Sequence, residues 1–477
     1  MKAAETLEFD VLVVGGGPAG TAAALGAAQA GAKTALATRG AFGGMAANDG
    51  PIPVRTLAHA ARLVREARQL PRYGIDVGEP LVDYGRLLAR ARDVVGEARA
   101  HSTLLTQVRG AGVTLYEDAG TARFVDPHIV QCETGPRVRA KAVVVCAGGI
   151  SRPLTVPGAD LTVTPAAAFS LTRVPRSLIV VGAGATGAQV ASIFNAFGSR
   201  ITLFQAAPRI VPTEDDDVSA AVAAAFWEDG IDVRESVGTI ERFERAPDGG
   251  VTMVFDPGDG GRASATAEFA VCTIGWIADT AALDLPVAGV EPDARGFIAV
   301  GADLRTSAPH VFAAGDVTGR MMLVPQAVED GFAAGIAAAG GTPPLRPSAA
   351  ADPIGSFTDP EYAKVGLTER EARADRDVVV ARAGYDETTR PIIDGRTRGF
   401  CKLVLERGTL RLLGCHVVGG RAVEVAQMGA IAMAAGLSAF DLAKVPLSFP
   451  TYANVFGRAA LRAVHESGSS KAQAPVG

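Results

Sequence analysis

Two glycine-rich loops are the residues in this sequence best suited to chemistry. In such a loop the first glycine permits a tight turn, the second lets a pyrophosphate approach the backbone, and the third allows close helix–strand packing. The N–H groups at the helix N-terminus then bind the phosphates. The spacing therefore predicts two dinucleotide-binding sites, at Gly15-x-Gly17-x-x-Gly20 and at Gly182-x-Gly184-x-x-Gly187.

Each loop follows an apolar run and precedes an alanine-rich helical pattern. FDVLVV (9–14) comes before the first loop and SLIVV (177–181) before the second, and another strand pattern follows each helix. Strand, glycine turn, helix and strand make a βαβ unit. The sequence thus indicates two such units in tandem.

The acidic residue expected about 20 residues after each loop is absent. Thr38 stands at that place in the first unit, and Gln205, with Arg209 nearby, in the second. A carboxylate there would bind a ribose 2′-hydroxyl and repel a 2′-phosphate. We expect Thr38 to hydrogen-bond a ribose without charge, and the choice between NADH and NADPH stays open.

The composition favours an ordinary globular enzyme. The chain has 477 residues, of which 48% are hydrophobic and 20% charged, and a net charge of −5. This length predicts about three domains. The charge gives no basis for nucleic acid or an anionic membrane as a partner, and no apolar run approaches the ~20 residues of a membrane span. We expect a cytoplasmic location, because the start of the chain lacks a secretory cleavage pattern.

The five cysteines are scattered and form no CxxC pair. They predict neither a disulfide scaffold nor a metal site. Cys146 and Cys272 lie in apolar strand patterns and are interpreted as core residues. The acidic run from Glu214 to Asp217 is interpreted as a solvated helix start.

The order of the motifs resembles the pyridine nucleotide–disulfide oxidoreductases, a family of flavoenzymes. VLVVGGGPAG and VVVCAGG are similar to its FAD motifs, LIVVGAGATG and CTIGW to its NAD(P) motifs, and FTDPEYAKVGLTE to the start of its dimerisation domain. The resemblance implies an α/β fold with two tandem Rossmann-like domains, for FAD and NAD(P), and a C-terminal α+β dimerisation domain. The implied boundaries are 1–165 and 286–345 for the two parts of the FAD domain, 166–285 for the NAD(P) domain, 346–465 for the dimerisation domain and 466–477 for a disordered tail.

The resemblance also implies the cofactors, FAD and NADH or NADPH, and the residues that bind them. Asp316, in TSAPHVFAAGDVTGRMMLVPQAVEDG, is the residue that holds the ribityl chain of the flavin in this family. The full FAD set is Gly15, Gly17, Pro18, Gly20, Thr38, Gly43, Gly44, Gly120, Ala147, Gly148, Gly315, Asp316 and Leu323. The NAD(P) set is Gly182, Gly184, Gly187, Gln205 and Gly275.

The catalytic residues of the family do not carry over. Its pattern GGTCxxxxCIPSK aligns with GGMAANDGPIPVR (43–55), which puts the two redox cysteines on Ala46 and Pro51 and a lysine on Arg55. Its C-terminal HPTxxE motif becomes a segment from Phe449 to Asn454, without the His–Glu pair. Because disulfide exchange needs thiols, these departures predict that the chain is not a disulfide reductase of the family type.

The sequence therefore predicts a homodimeric flavoprotein that passes electrons from NAD(P)H through FAD directly to a small organic, quinone-like acceptor. Arg55 would stabilise an anionic reduced flavin, and Phe449 and Asn454 would wall the acceptor site. The alternatives for these residues are a surface ion pair for Arg55 and a vestigial site filled by packing. The alternatives for the protein are a metabolite-specific flavin oxidoreductase of a biosynthetic pathway and a non-catalytic flavoprotein or accessory subunit.

Overall fold

The computed structural model describes residues 6–100, 103–343 and 352–472. The chain forms two compact units, each built from three separate stretches. The first unit contains Met1–Leu57, Gly85–Arg152 and Gly275–Arg346, and the second contains Ala58–Tyr84, Pro153–Ile274 and Pro347–Gly477. The chain therefore leaves and re-enters each unit, and the domain boundaries predicted from the sequence stay predictions.

The helices and strands alternate along most of the chain. The helices are α1 (Pro18–Gln29), α2 (Gly44–Asn48), α3 (Pro51–Gln69), α4 (Tyr84–Ala100), α5 (Thr103–Gly110), α6 (Pro165–Phe169), α7 (Ala185–Ala196), α8 (Asp216–Glu228), α9 (Val324–Ala338), α10 (Glu369–Asp375), α11 (Thr389–Ile393), α12 (Ala422–Ala434), α13 (Ala439–Leu442) and α14 (Ala453–Ala472). The strands are β1 (Thr6–Val14), β2 (Thr34–Ala37), β3 (Thr114–Tyr116), β4 (Ala122–Asp126), β5 (Ile129–Cys132), β6 (Arg137–Val145), β7 (Gly149–Ser151), β8 (Thr162–Val163), β9 (Ser177–Val181), β10 (Arg200–Phe204), β11 (Asp232–Arg234), β12 (Ile240–Arg245), β13 (Val251–Phe255), β14 (Ala263–Ala267), β15 (Phe269–Cys272), β16 (Trp276–Ala278), β17 (Val311–Ala313), β18 (Ile354–Ser356), β19 (Tyr362–Gly366), β20 (Val378–Gly384), β21 (Phe400–Glu406) and β22 (Leu412–Val418).

The first unit is built on a seven-stranded sheet. Its order is β3-β2-β1-β6-β5-β4, and β17 pairs with β6. β3, β2, β1, β6 and β17 are parallel, whereas β4 and β5 form an antiparallel extension. Apolar clusters lie on both sides of this sheet, as expected for parallel strands covered on both faces.

Helices α1 and α9 pack with their backbones in direct contact. A Cβ atom added to Gly331 or Gly335 would lie 2.0 Å from the carbonyl oxygen of Ala19 or Ala23, respectively. A Cβ on Gly26 would lie 2.4 Å from the carbonyl oxygen of Phe332. The small residues of the two helices therefore permit this close approach, which fixes α1, the helix that follows the first glycine loop.

The described residues of the second unit form three sheets. The five-stranded sheet β11-β10-β9-β15-β8 is parallel, and the sheets β12-β13-β14 and β18-β19-β22-β21-β20 are antiparallel. The predicted α/β class is thus confirmed, with a Rossmann-like parallel sheet in each unit.

The C-terminal helix is longer than the sequence indicates. The tail predicted to be disordered from residue 466 is helical in α14 as far as Ala472; the rest of that prediction, 473–477, lies outside the described residues. Among the helices described, none is both long and apolar enough to cross a membrane.

Candidate cofactor and coenzyme sites

The first glycine loop makes the turn from β1 into α1. Gly15 has a φ of 110°, and a Cβ there would lie 2.1 Å from the carbonyl oxygen of Cys146. A Cβ on Gly20 would lie 1.7 Å from the carbonyl oxygen of Gly15. These two glycines are therefore required by the protein itself, one for the turn and one for helix packing.

Gly17 has a different role, because the space beside it is open. It is the N-cap of α1, with Pro18 as the first helical residue. Among the described residues, only Cα of Gly44, at 3.9 Å, lies within 4 Å of its added Cβ. Gly43 and Gly44 both have positive φ angles, 102° and 56°. The loop thus presents bare backbone at the start of a twelve-residue helix, where N–H groups and the helix dipole favour a pyrophosphate.

Asp316 lies beside the carboxyl end of the sheet, where the other predicted FAD residues meet. A Cβ on Gly149 would lie 3.6 Å from Cβ of Asp316, and one on Gly315 2.9 Å from Cβ of Ala19. Burial raises the pKa of Asp316. Among the described residues, no N–H or O–H group donates a hydrogen bond to the side chain of Asp316. Its oxygens can therefore accept hydrogen bonds from hydroxyl groups such as those of a ribityl chain. The remaining predicted residues here are Ala147 and Gly148, which follow β6, and Leu323, the N-cap of α9.

The hydroxyl group of Thr38, expected to hydrogen-bond a ribose, already makes a hydrogen bond within the protein. The side chain is buried, the hydroxyl donates to the carbonyl oxygen of Gly40, and the methyl group faces Gly16. The hydroxyl proton is therefore used within the protein, and only acceptor capacity is left for a ribose. Gly120 lies alongside, and its N–H donates to the carbonyl oxygen of Arg39.

The second glycine loop repeats the geometry of the first. Gly182 has a φ of 95°, and an added Cβ would lie 2.6 Å from the carbonyl oxygen of Thr273. A Cβ on Gly187 would lie 1.9 Å from the carbonyl oxygen of Gly182, whereas one on Gly184, the N-cap of α7, would meet no atom of the described part of the chain within 4 Å. The open space again lies at the glycine that would face a pyrophosphate.

Gly275, predicted for the coenzyme site, belongs to the first unit. Its carbonyl oxygen accepts a hydrogen bond from the N–H of Arg152 at 2.9 Å. Its coenzyme role stays a prediction.

The segment predicted to lie beside the flavin contains no thiol. Ala46 is in α2, Pro51 begins α3, and Arg55 is exposed in the first turns of α3. No cysteine occurs before Cys132, and all five cysteines are buried and outside any disulfide. The alignment of Ala46 and Pro51 with redox cysteines stays a prediction.

The two C-terminal candidates, Phe449 and Asn454, both belong to the second unit, but only one has a side chain open to another molecule. Phe449 is 74% exposed. Asn454 instead accepts a hydrogen bond from the N–H of Thr451 through Oδ1, at 2.8 Å. Phe449 can contact another molecule, while the Asn454 side chain is already engaged in the turn that begins α14.

A buried polar network in the second unit was missed by sequence reasoning. Lys402 is 3% exposed, and its Nζ lies 3.0 Å from Asp215 Oδ2 and 2.6 Å from Asp217 Oδ1. The N–H of Glu369 also donates to Asp215. Burial raises the pKa of Asp215, but the Glu369 N–H, His416 and Lys402 outweigh it, and the net shift is downward. The acidic run interpreted as a solvated helix start is therefore partly a buried ion-pair site, because its partners come from distant strands.

Comparison with known proteins agrees with this architecture. Residues 9–331 match the family described as "Pyridine nucleotide-disulphide oxidoreductase", and residues 353–460 match its dimerisation domain. A dihydrolipoyl dehydrogenase of Chlorobaculum tepidum is 31% identical over 98% of this chain and 100% of its own. A mercuric reductase of Bacillus cereus is 30% identical over 94% of this chain and 70% of its own. A solved structure, the HOCl-induced flavoprotein disulfide reductase RclA from Escherichia coli, has the same fold, with a TM-score of 0.84 and 23% identity over 95% of this chain and 99% of its own.

These relatives overturn the predicted function. The expectation of a quinone-like acceptor, with disulfide reduction excluded, is wrong, because the relatives matched along nearly their whole length are dihydrolipoyl dehydrogenases. They point to disulfide reductase activity. The same finding speaks against the two alternatives, a biosynthetic flavin oxidoreductase and a non-catalytic flavoprotein.

The predicted cofactors, FAD and NAD(P)H, are those of the family and its relatives. The geometry of the two glycine loops and of Asp316 fits them, and the dimerisation domain supports the predicted homodimer. The chain belongs to the pyridine nucleotide–disulphide oxidoreductase family and is an FAD-dependent NAD(P)H oxidoreductase.

Proposed function

We propose that this oxidoreductase transfers electrons from NAD(P)H through FAD to a disulfide. The overall reaction is NAD(P)H + H⁺ + R–S–S–R → NAD(P)⁺ + 2 R–SH. The observation that carries the proposal is the match, over 98% of this chain, to a protein named dihydrolipoyl dehydrogenase. A dihydrolipoyl group is a dithiol, and its oxidised form is a disulfide.

The protein contributes binding and orientation to this reaction. The open backbone at Gly17 would hold the pyrophosphate of FAD, and Asp316 would accept a hydrogen bond from its ribityl chain. The open backbone at Gly184 would hold the coenzyme pyrophosphate. FAD, when bound, supplies the two-electron chemistry that connects the coenzyme to the acceptor.

The disulfide that is reduced is proposed to be that of the acceptor. No cysteine occurs in residues 1–131, so neither α2 nor the start of α3 offers a thiol. Burial raises the pKa of Cys146 to about 12, and burial also raises the pKa of Cys132 and Cys272. A thiol held in its protonated form is a poor nucleophile, so these side chains are unsuited to relay electrons.

The exposed residues Arg55 and Phe449 are the proposed contacts for the reacting groups. A permanently charged guanidinium at Arg55 would favour the anionic reduced flavin. Phe449 offers an apolar surface to an acceptor, and Asn454 would act through the turn that carries Phe449. The small-molecule acceptor and a cytoplasmic location are part of the same proposal.

The test is a thiol count in the absence of oxygen. The purified flavoprotein is mixed with NADH or NADPH and, in turn, lipoamide, glutathione disulfide and an aromatic disulfide. We expect two thiols for each coenzyme oxidised with at least one acceptor. The same stoichiometry is expected in a Cys401→Ser/Cys415→Ser double variant, which removes the two remaining cysteines, buried on the paired strands β21 and β22. Coenzyme oxidation without thiol release, or no turnover with any disulfide, would contradict the proposal.

A further inference from the structure

The residue after β10 is the place where a dinucleotide unit distinguishes NADH from NADPH. β10 ends at Phe204, and Gln205 follows. A carboxylate at this place accepts a hydrogen bond from the ribose 2′-hydroxyl and repels a 2′-phosphate. Gln205 carries no charge, so a 2′-phosphate would meet no repulsion from it.

The side-chain oxygen of Gln205, its hydrogen-bond acceptor, points toward the backbone of its own loop. This Oε1 accepts a hydrogen bond from the N–H of Ala207 at 3.4 Å. The Nε2 of Gln205 forms no hydrogen bond to any of the residues that the structure describes. The group left for a ligand is therefore a donor, which suits the oxygens of a phosphate.

Two arginines lie near Gln205: Arg209 in the same loop and Arg234 at the end of the neighbouring strand β11. The N–H of Gln205 donates to the carbonyl oxygen of Arg234, whose guanidinium lies 5.4 Å from the ring centre of Phe204. Arg209 lies further along the same loop. Within the second unit, one arginine of this loop and one at the end of the neighbouring strand β11 thus accompany the position that a carboxylate would occupy in an NADH-specific site.

Both arginines pair with carboxylates, but these pairs are exposed and can give way to a phosphate. Arg209 pairs with Asp216 at 2.6 Å and Arg234 with Asp232 at 2.9 Å, all four side chains being at least one-third exposed. Exposed pairs of this kind contribute little, and a doubly charged phosphate can replace the aspartate. The other nearby carboxylate, that of Glu235, accepts a hydrogen bond from the N–H of Ile210 at 2.7 Å and so holds the loop.

We propose that Gln205 and Arg209 bind the 2′-phosphate of NADPH and make this protein select NADPH over NADH. The inference concerns the coenzyme alone and does not depend on the identity of the acceptor.

Binding measurements test this without turnover. The FAD-loaded protein is titrated by calorimetry with NADP⁺ and NAD⁺, and with the fragments 2′,5′-ADP and 5′-AMP. We expect NADP⁺ and 2′,5′-ADP to bind at least about tenfold more tightly than their counterparts, since charge-assisted contacts to a phosphate are strong. Equal binding, or tighter binding of NAD⁺, would overturn the proposal.

Three variants locate the effect. Arg209→Gln should weaken NADP⁺ binding by about tenfold and leave NAD⁺ binding nearly unchanged, and Gln205→Glu should reverse the preference. Arg200→Gln, at the exposed start of the same strand β10, is the matched control and should change neither. Equal weakening of both coenzymes by Arg209→Gln, with the FAD content and melting temperature of the wild type, would also overturn the proposal.

Discussion

At the scale of single residues, the three glycines of the first glycine loop have two different roles. Two of them are required by the fold, and the third faces open space. Gly15 and Gly20 are in contact with other backbone atoms, whereas the space beside Gly17 is open. The types and spacing of these residues were predictable from the sequence, because the loop is local and its geometry follows from a few backbone angles. Their different steric surroundings were not predictable, because the surrounding atoms include those of Cys146, which follows β6, and of Gly44 in α2.

We expect Gly17→Ala to weaken FAD binding without unfolding the protein. The new methyl group enters the open space at the start of α1, where the pyrophosphate would approach. FAD affinity, measured by the change of flavin fluorescence on titration of the apoprotein, should fall at least about tenfold, as for the loss of one or more charge-assisted hydrogen bonds. The melting temperature of the apoprotein should stay close to that of the wild type.

The comparison variant is Gly20→Ala, whose Cβ would lie 1.7 Å from the carbonyl oxygen of Gly15. It should lower the unfolding free energy of the apoprotein by roughly 1–3 kcal/mol, as overpacking does. If Gly17→Ala bound FAD like the wild type, the assignment of this loop to the cofactor would be incorrect.

The carboxyl of Glu361 makes the stability of the protein depend on pH. Burial, followed by Glu424, raises its pKa to about 7, although the N–H of Val423 and the guanidinium groups of Arg62 and Arg421 oppose the shift. Because the folded state then holds this proton more tightly than the unfolded state, its contribution to stability is lost as pH rises from about 4.5 to about 7. The loss should be about 3 kcal/mol, since a difference of one pKa unit corresponds to about 1.4 kcal/mol.

Glu361→Gln should remove this part of the pH dependence. Unfolding in denaturant at a series of pH values measures it, and the exposed Glu291→Gln is the control. An unchanged pH profile in Glu361→Gln would show that folding does not raise the pKa of this carboxyl. No sequence pattern marks this residue, because the groups that perturb it lie in α3 and at the start of α12.

At the scale of elements, the contact between α1 and α9 supports the FAD loop. We expect Gly331→Ala to lower the unfolding free energy by roughly 1–3 kcal/mol, because its Cβ would lie 2.0 Å from the carbonyl oxygen of Ala19. Gly96→Ala, in the interior of α4 with nothing within 4 Å, should instead stabilise by about 0.5–1 kcal/mol through helix propensity. Equal effects of the two variants on thermal or denaturant unfolding would contradict the close packing.

Strand β21 meets the start of α8 through an ion-pair cluster, in which Lys402 is the cation of Asp215 and Asp217. Lys402→Met should leave Asp215 and Asp217 without their cation, at an expected loss of about 3–5 kcal/mol. Lys444→Met, whose side chain is 77% exposed, is the control and should change stability by less than about 0.5 kcal/mol. Chemical denaturation gives both values. A small effect at Lys402 would mean that water reaches the carboxylates in its place.

At the scale of the whole molecule, the order of the motifs predicted the fold correctly and the acceptor incorrectly. Glycine loops and strand ends are short local patterns, so their succession identifies two Rossmann-like sheets. The residues at positions 46 and 51, Ala46 and Pro51, predict that the two redox thiols of the family are missing. The identity of the acceptor depends instead on groups assembled from distant parts of the chain. The missing thiols therefore could not justify a quinone, and the named relatives outweigh that inference.

The dimerisation domain gives the last prediction, a homodimer in solution. Large apolar side chains remain exposed in this domain of the single chain, among them Ile431 at 62% and Phe440 at 42%. Obligate interfaces bury such side chains, so a charge at either position should weaken association. Light scattering after size-exclusion chromatography should give twice the mass of the chain for the wild type and a concentration-dependent lower mass for Ile431→Glu. Lys444→Glu, a substitution at an exposed polar residue of the same domain, serves as the control for added charge. A wild type that stays monomeric at micromolar concentration would contradict the assignment, because no second copy would then be present to cover these side chains.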